Sequence, residues 1–182
     1  MNYATIKKTD VANGPGVRVS LFVSGCTHHC KGCFNSVAWD FQYGQAYTLE
    51  TEQEILQALA PDYIRGLSLL GGEPMEPENQ HGLLELAKRA KALHPEKSIW
   101  CYTGDVYEDL VDAASPRHTE ETDELLGLID VLVDGPYIDS LHDITLRFRG
   151  SSNQRVIDMN ETRKTGEVVL WKDEEVYSTH SM

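Results

Sequence analysis

The chain has 182 residues, 41% of them hydrophobic and 25% charged, and chains of this size bury roughly 70% of the surface that the unfolded state exposes. One domain spanning residues 1–182 is therefore expected, with a less regular C-terminal segment from about residue 140. A formal charge of -13 argues against nucleic acid or an anionic membrane surface as the main partner, because both reward clustered Lys and Arg.

Only four cysteines, no secretory leader and no long apolar run lead to the expectation of a reducing, cytoplasmic setting with no membrane span. There, clustered thiols serve metal or redox chemistry and not disulfides.

In chain order, Gly14 and Gly16 read as a turn. They precede a strand and do not link a strand to a helix, so the helix N-terminus that a phosphate cradle needs is missing. Val17 to Val23 is the first predicted strand and runs directly into Ser24-Gly25-Cys26. A helix is expected near Thr51, where Thr51 and Glu54 have capping-box spacing and Ile55, Leu56 and Leu59 share a face.

Gly66 to Leu70 is the second strand, leading without a spacer into Gly71-Gly72-Glu73-Pro74. The next helix places Leu83, Leu84, Leu86, Ala87, Ala90 and Leu93 in the core and stops before Pro95, since the residue preceding proline resists helical geometry. Ser98 to Tyr102 forms a third strand ending in Thr103-Gly104, and Ala114 to Asp123 looks like a solvated linker. Helical segments with Leu110, Val111, Leu125, Leu126 and Leu128 lead to a fourth strand, Val131 to Val133, closed by Asp134-Gly135-Pro136. In the tail, Leu146 to Arg149 alternates like a strand, and Gln154 to Ile157 could pair with Glu167 to Trp171 across Asn160 to Gly166.

Strands alternating with helices predict an α/β fold with parallel strands. Each predicted strand ends in polar or glycine-containing residues, so the chemistry gathers on the rim at the strands' C-terminal ends.

The densest feature on that rim is Cys26-Thr27-His28-His29-Cys30-Lys31-Gly32-Cys33. Four-iron clusters that only transfer electrons take four thiolates. Three leave one iron open, and a withheld protein ligand marks a catalytic metal site. A zinc site built from the three cysteines and His28 or His29 is the alternative, although zinc spacings usually come as two separated pairs. As flanking residues of a tight loop, His28 and His29 are expected to point outwards. Cys101, in an apolar strand, reads as a small buried hydrophobe.

Gly71 and Gly72 would let backbone approach a bound cofactor, and Glu73 can accept from an ammonium group. Asp134 reads equally as a cofactor or cation ligand and as a turn cap. Arg147, Arg149 and Arg155 form the one notable basic cluster, either structural or a docking surface for an acidic partner or redox donor.

The spacing Cys26-x-x-x-Cys30-x-x-Cys33, with Phe34 in the following aromatic position, resembles the cluster signature of radical S-adenosylmethionine enzymes. Gly71-Gly72-Glu73-Pro74 looks like their second motif. Within that superfamily the chain resembles the activating enzymes of anaerobic, class III ribonucleotide reductases. The segments that carry the likeness are Asn13-Gly14-Pro15-Gly16-Val17-Arg18, Leu21-Phe22-Val23-Ser24-Gly25-Cys26, Val131-Leu132-Val133-Asp134-Gly135 and Arg149-Gly150-Ser151-Ser152-Asn153-Gln154. Leu70 departs from the pattern, because many relatives carry serine there.

The resemblance implies an incomplete parallel (β/α) barrel and one [4Fe-4S] cluster per chain, held by Cys26, Cys30 and Cys33. It also implies S-adenosylmethionine as the ligand of the open iron, bound near Gly32, Cys33, Phe34, Gly71, Gly72, Glu73 and Thr103. The implied reaction is reductive cleavage to a 5'-deoxyadenosyl radical, which takes hydrogen from a glycine of the reductase. Reduced flavodoxin or a similar protein is the implied electron donor. Alternatives are the activator of another glycyl radical enzyme, of the pyruvate formate-lyase type, and a non-enzymatic zinc module.

Overall fold

The alternation along Val17–Val23 sends Val19, Leu21 and Val23 to one face and Arg18 and Ser20 to the other, as the two-residue period of a strand requires. In the computed structural model, which describes residues 1–173, this segment is the second strand of a seven-stranded mixed sheet. The final residues of the expected 1–182 span, 174–182, lie outside the described residues.

The strands are β1 (Asn2–Asp10), β2 (Val17–Val23), β3 (Gln45–Ala46), β4 (Ile64–Gly71), β5 (Ser98–Tyr102), β6 (Val131–Asp134) and β7 (Arg155–Asp158), in the spatial order β3-β1-β2-β4-β5-β6-β7. The centre, β2-β4-β5-β6, is parallel, while β1, β3 and β7 are antiparallel to their neighbours. The sheet does not close on itself.

Among the described residues five α-helices accompany it: α1 (Leu49–Leu59), α2 (Pro77–Leu93), α3 (Tyr107–Val111), α4 (Thr122–Leu128) and α5 (Met159–Thr165). Leu67, Leu69, Ile99, Cys101 and Leu132 from the sheet form one core with Ile55, Leu59, Leu83, Leu86 and Leu125 from the helices. Crossover helices cover this face because parallel neighbours cannot be joined by a hairpin.

The opposite face has a different chemistry. Arg18 is fully buried there, with Nε donating to Ser68 Oγ at 2.7 Å, Nη1 to Ser98 Oγ at 3.0 Å and Nη2 to the carbonyls of Leu67 and Ser98, each at 2.9 Å. Its guanidinium lies over Trp100, 5.6 Å from the ring centroid. Burial lowers its pKa to about 10. Phe148 and Trp171 close over Trp100 at 5.2 and 5.1 Å between centroids.

The four central strands form where the sequence places them, and Gly14 and Gly16 do form the β1–β2 turn, at φ +124 and +71. Several local expectations change. β1 escapes sequence reading because only Tyr3 and Asp10 are buried along it and its pairing with β2 carries two register shifts. The capping box sits three residues earlier than expected. Thr48 is the N-cap, and Thr51 is the N3 residue that answers it, which leaves Glu54 free to pair with Lys8 at 2.8 Å.

Leu146 to Arg149 is a series of bends and not a strand, because Phe148, at φ +61, leaves the extended region. Glu167 to Trp171 does run antiparallel to β7, through Asp158 N to Val169 O and Trp171 N to Val156 O, both 2.8 Å. The connection is α5, capped by Asp158, and not a polar loop. Ala114 to Asp123 is not a solvated linker either, as the site below makes clear.

Replacing Arg18 with Ala strands several buried acceptors at once. Urea denaturation should show a loss of about 2–4 kcal/mol, whereas Arg65→Ala, at an exposed position of β4, should stay within about 0.5 kcal/mol of the parent.

Candidate functional site

Two loops leave the C-terminal ends of adjacent parallel strands and are joined by their backbones. After β2, Gly25 turns at φ +94 against the ring of Phe41, which lies 2.3 Å from where a Cβ would stand. After β4, Gly71 turns at φ +114. Gly72 N then donates to Val23 O at 2.7 Å, and Glu73 N donates to Gly25 O at 2.8 Å. A Cβ on Gly72 would lie 2.5 Å from Gly25 O and 2.9 Å from Ala38 O. The glycine pair thus lets the second loop lie directly on the backbone of the first.

The cysteine loop continues with Cys26 N donating to Trp39 O at 3.2 Å and Cys33 N to Cys30 O at 3.1 Å. His29 and Gly32 take left-handed conformations at φ +49 and +77, which turn the short loop that carries the three cysteines. Cys26 is buried, Cys30 and Cys33 are half-buried, and all three are free thiols. Burial, with Glu73 and Glu76 nearby, pushes the Cys26 thiol up to about 11.

Three soft donors on one rim loop, without a disulfide among them, are a ligand set that an iron–sulfur cluster accepts. Cys101 contributes nothing to it. It is fully buried in β5 within the helix-covered core, where burial holds its thiol well above the ordinary value.

Glu73 is 1% exposed. Its Oε1 accepts from Met75 N at 2.8 Å, and its Oε2 accepts from Gly104 N at 2.7 Å and faces His28 Nε2 at 3.1 Å. His28 therefore turns inward, contrary to the outward orientation expected of it. The space exists because Gly104 has no side chain, a Cβ there falling 2.8 Å from the imidazole. Asp105 lies 3.4 Å from the same nitrogen, and hydrogen bonds to Asp105 and Glu73 push the His28 pKa up to about 10. His29 instead stacks on Trp39, with centroids 4.5 Å apart.

The remaining candidates occupy varied positions on the rim. Thr103 is buried, with its hydroxyl accepting from Asp105 N at 3.1 Å. Phe34 is fully exposed. Gly32 abuts Asp139, whose carboxylate would be 2.7 Å from a Cβ. Beside it lies a cleft of about 330 Å³ lined by Lys31, Tyr137, Ile138, Asp139 and Ser140.

Asp134 acts as the turn cap and ion-pair partner. It accepts from Tyr107 N at 2.8 Å, at the start of α3, and from Arg155 Nε at 3.0 Å. Arg155 also holds Glu108, Arg149 donates to Gln154 O at 2.6 Å, and Arg147 pairs with Asp173, so the basic cluster is engaged within the fold. The Arg149-to-Gln154 segment docks on the same rim, with Gln154 Nε2 donating to Gly135 O at 3.0 Å and Asn153 Nδ2 to Pro136 O at 2.7 Å.

A family model described as a 4Fe-4S single cluster domain matches residues 12–157, a span that includes every rim loop described above. A protein of Vibrio cholerae is 46% identical over 156 residues, covering 85% of this chain and 96% of its own length. One from Enterobacteria phage T4 is 42% identical, covering 86% and 93%, and one from Escherichia coli K12 is 41% identical, covering 86% and 97%. All three are named anaerobic ribonucleoside-triphosphate reductase-activating protein. This chain belongs to that family. The family model supports an iron–sulfur cluster in this chain, in place of the zinc alternative. Among the described residues no helix is long and apolar enough to cross a membrane.

Sequence reading missed three polar residues that brace the cysteine loop. Asn79, buried in the first turns of α2, donates through Nδ2 to Ser24 O at 3.0 Å and Glu73 O at 2.9 Å. Glu76 Oε1 accepts from Thr27 N at 2.6 Å and Thr27 Oγ1 at 2.7 Å. Arg117 reaches Glu76, Asp105 and Thr27 from the segment between α3 and α4. The one available signal was Pro77, a residue suited to the first position of a helix, which would have marked Glu76 as its cap.

The thiolate, not the thiol, reacts with alkylating agents, and at about pH 8 only about one thousandth of a thiol with the pKa of Cys26 is ionised. Iodoacetamide should therefore modify the reduced, metal-free chain first at Cys30 and Cys33, more slowly at Cys26, and at Cys101 only after denaturation. Peptide mass spectrometry at successive times reads this order.

Proposed function

We propose that this chain is a radical S-adenosylmethionine enzyme that activates an anaerobic ribonucleotide reductase by creating a glycyl radical on it. In this reading Cys26, Cys30 and Cys33 hold three irons of a [4Fe-4S] cluster, and the open sheet serves as an incomplete barrel of the radical S-adenosylmethionine type. When bound, the reduced cluster and S-adenosylmethionine supply the electron and the sulfonium whose carbon–sulfur cleavage yields methionine and a 5'-deoxyadenosyl radical, which becomes 5'-deoxyadenosine on taking a glycine α-hydrogen. The observation that supports the reading is the backbone join between the three-cysteine loop and the Gly71-Gly72-Glu73-Pro74 loop, the two loops that in this reading would hold the cluster and receive the cofactor's amino group.

The chain's own residues bind and orient. A carboxylate offers about four lone-pair directions. Glu73 spends one on Met75 N and two on Gly104 N and His28, so Oε1 keeps one for the ammonium of the cofactor. Thr103 Oγ1 accepts from Asp105 N and retains its own proton to donate to the cofactor's carboxylate or ribose.

In this reading Gly32, Cys33 and the exposed Phe34 would contact the cofactor, and Gly71 and Gly72 would serve it through their backbone, since the space a Cβ would take at each is filled by the backbone of β2 and the loop after it. Rigid positioning of this kind lowers the barrier by removing the entropy of bringing reactants together. The protein substrate is the reductase named for the relatives, reduced flavodoxin or a similar protein supplies the electron, and the reaction takes place in the cytoplasm.

Anaerobic reconstitution with iron and sulfide, followed by an assay for 5'-deoxyadenosine with and without reductase, tests this directly. Cys26→Ala, Cys30→Ala and Cys33→Ala should each abolish product and the glycyl doublet seen by electron paramagnetic resonance. Cys101→Ala should retain most of both. A lone zinc in oxygen-free material, or a reduced centre whose spectrum ignores added S-adenosylmethionine, would overturn the proposal.

A further inference from the structure

We propose that Arg117 is a positioning residue for the cysteine loop, acting through Glu76 and Thr27, an inference that rests on Cys26, Cys30 and Cys33 being the cluster ligands. Thr27 follows Cys26 directly, and both its backbone N–H and its hydroxyl donate to Glu76 Oε1, at 2.6 and 2.7 Å. Glu76 is 2% exposed, and a buried carboxylate stays ionised only if its charge is matched.

Arg117 supplies that match. Its Nη1 pairs with Glu76 Oε2, its Nη2 donates to Thr27 Oγ1 at 2.8 Å, and its Nε donates to Asp105 Oδ1 at 3.2 Å. All three nitrogens of one planar group are therefore committed, in three directions that a lysine ammonium on its flexible stem does not reproduce.

The backbone beneath Arg117 is also fixed. Gln80, fully buried in α2, donates through Nε2 to Arg117 O and Met75 O, both 2.8 Å, and accepts through Oε1 from the hydroxyls of Thr119 and Thr122 at 2.8 and 2.6 Å. The guanidinium is thus held from behind while it holds Glu76 in front. Without it, the buried Glu76 carboxylate loses the partner that holds it in place, and the segment between Cys26 and Cys30 loses its anchor. The consequence is a metal site whose ligands must be ordered anew each time one lets go.

Supporting residues around metal ligands characteristically change metal affinity by about 10–100-fold when removed. The test uses the full chain, reconstituted without oxygen. Iron content of Cys26→Ala, Cys30→Ala and Cys33→Ala is measured first, and undiminished iron in these variants sinks the ligand assignment itself, independently of Arg117.

Iron release to a ferrous chelator is then timed for Arg117→Gln, Arg117→Lys and a control, Arg155→Gln, whose arginine also bridges two carboxylates on this rim, Asp134 and Glu108. Release should be at least about tenfold faster for Arg117→Gln than for the parent, intermediate for Arg117→Lys, and within about twofold of the parent for Arg155→Gln. The reduced centre of Arg117→Gln should also give a broadened paramagnetic resonance spectrum.

Release from Arg117→Gln within about twofold of the parent, or equal acceleration in Arg155→Gln, overturns the proposal. If Arg117→Gln fails to fold, Thr27→Val, which removes only the clamped hydroxyl, decides the matter. Its release should quicken by about threefold or more, and unchanged release counts against the clamp.

Discussion

The rest of the rim depends on two backbone hydrogen bonds, Gly72 N to Val23 O and Glu73 N to Gly25 O. Neighbouring parallel strands end side by side, but nothing in sheet geometry requires the loops beyond them to stay together. Here the β2–β4 ladder is in effect continued past both strand ends, which is possible only where no Cβ intervenes. With a side chain at Gly72 the loops would part. Glu73 would then leave Gly104 and His28, and the connection from the second strand end to the third would go with it.

From this join outward the site is built by charge. Glu73, Glu76 and Asp105 bring three carboxylates into a small, poorly hydrated volume, balanced by Arg117 and by His28, whose pKa lies near 10. Burying ions is unfavourable unless each is paired and hydrogen-bonded, and this group meets that condition by sharing partners among three loops. The arrangement contributes little net stability, yet it makes the relative placement of the loops nearly single-valued. That is what a site needs if it must hold both a cluster and a second ligand.

Much of this was legible in the sequence, for physical reasons. The parallel strands announce themselves because burial on both faces demands apolar runs, and the rim loops because glycine and polar residues follow those runs directly. The three-cysteine spacing is a local property of the chain and survives any uncertainty about the fold. What could not be read is whatever depends on distant segments meeting.

Arg117 sits in a stretch of Ser, Pro, His, Thr and Glu that has every compositional mark of a solvated connection, and only the fold brings it to Glu76. His28 was expected to face water because its inward space is created by a glycine 76 positions away, Gly104. β1 was invisible because a strand with only Tyr3 and Asp10 buried lacks the apolar density of its neighbours. The shifted capping box at Thr48 shows how two threonines three residues apart can be read in either register until the backbone decides.

The two borders of the sheet share a property. On one side stands β3, only Gln45–Ala46, and on the other β7 is partly shielded by the returning segment at Val169 to Trp171. Unpaired ladder groups are what invite fibril growth and strand exchange between copies. Since β3 pairs only with Asn2 and Tyr3, the outer side of β1 beyond Tyr3 is not covered by it, and there the exposed Lys7 and Lys8 supply the like charge that discourages a second copy from adding a strand.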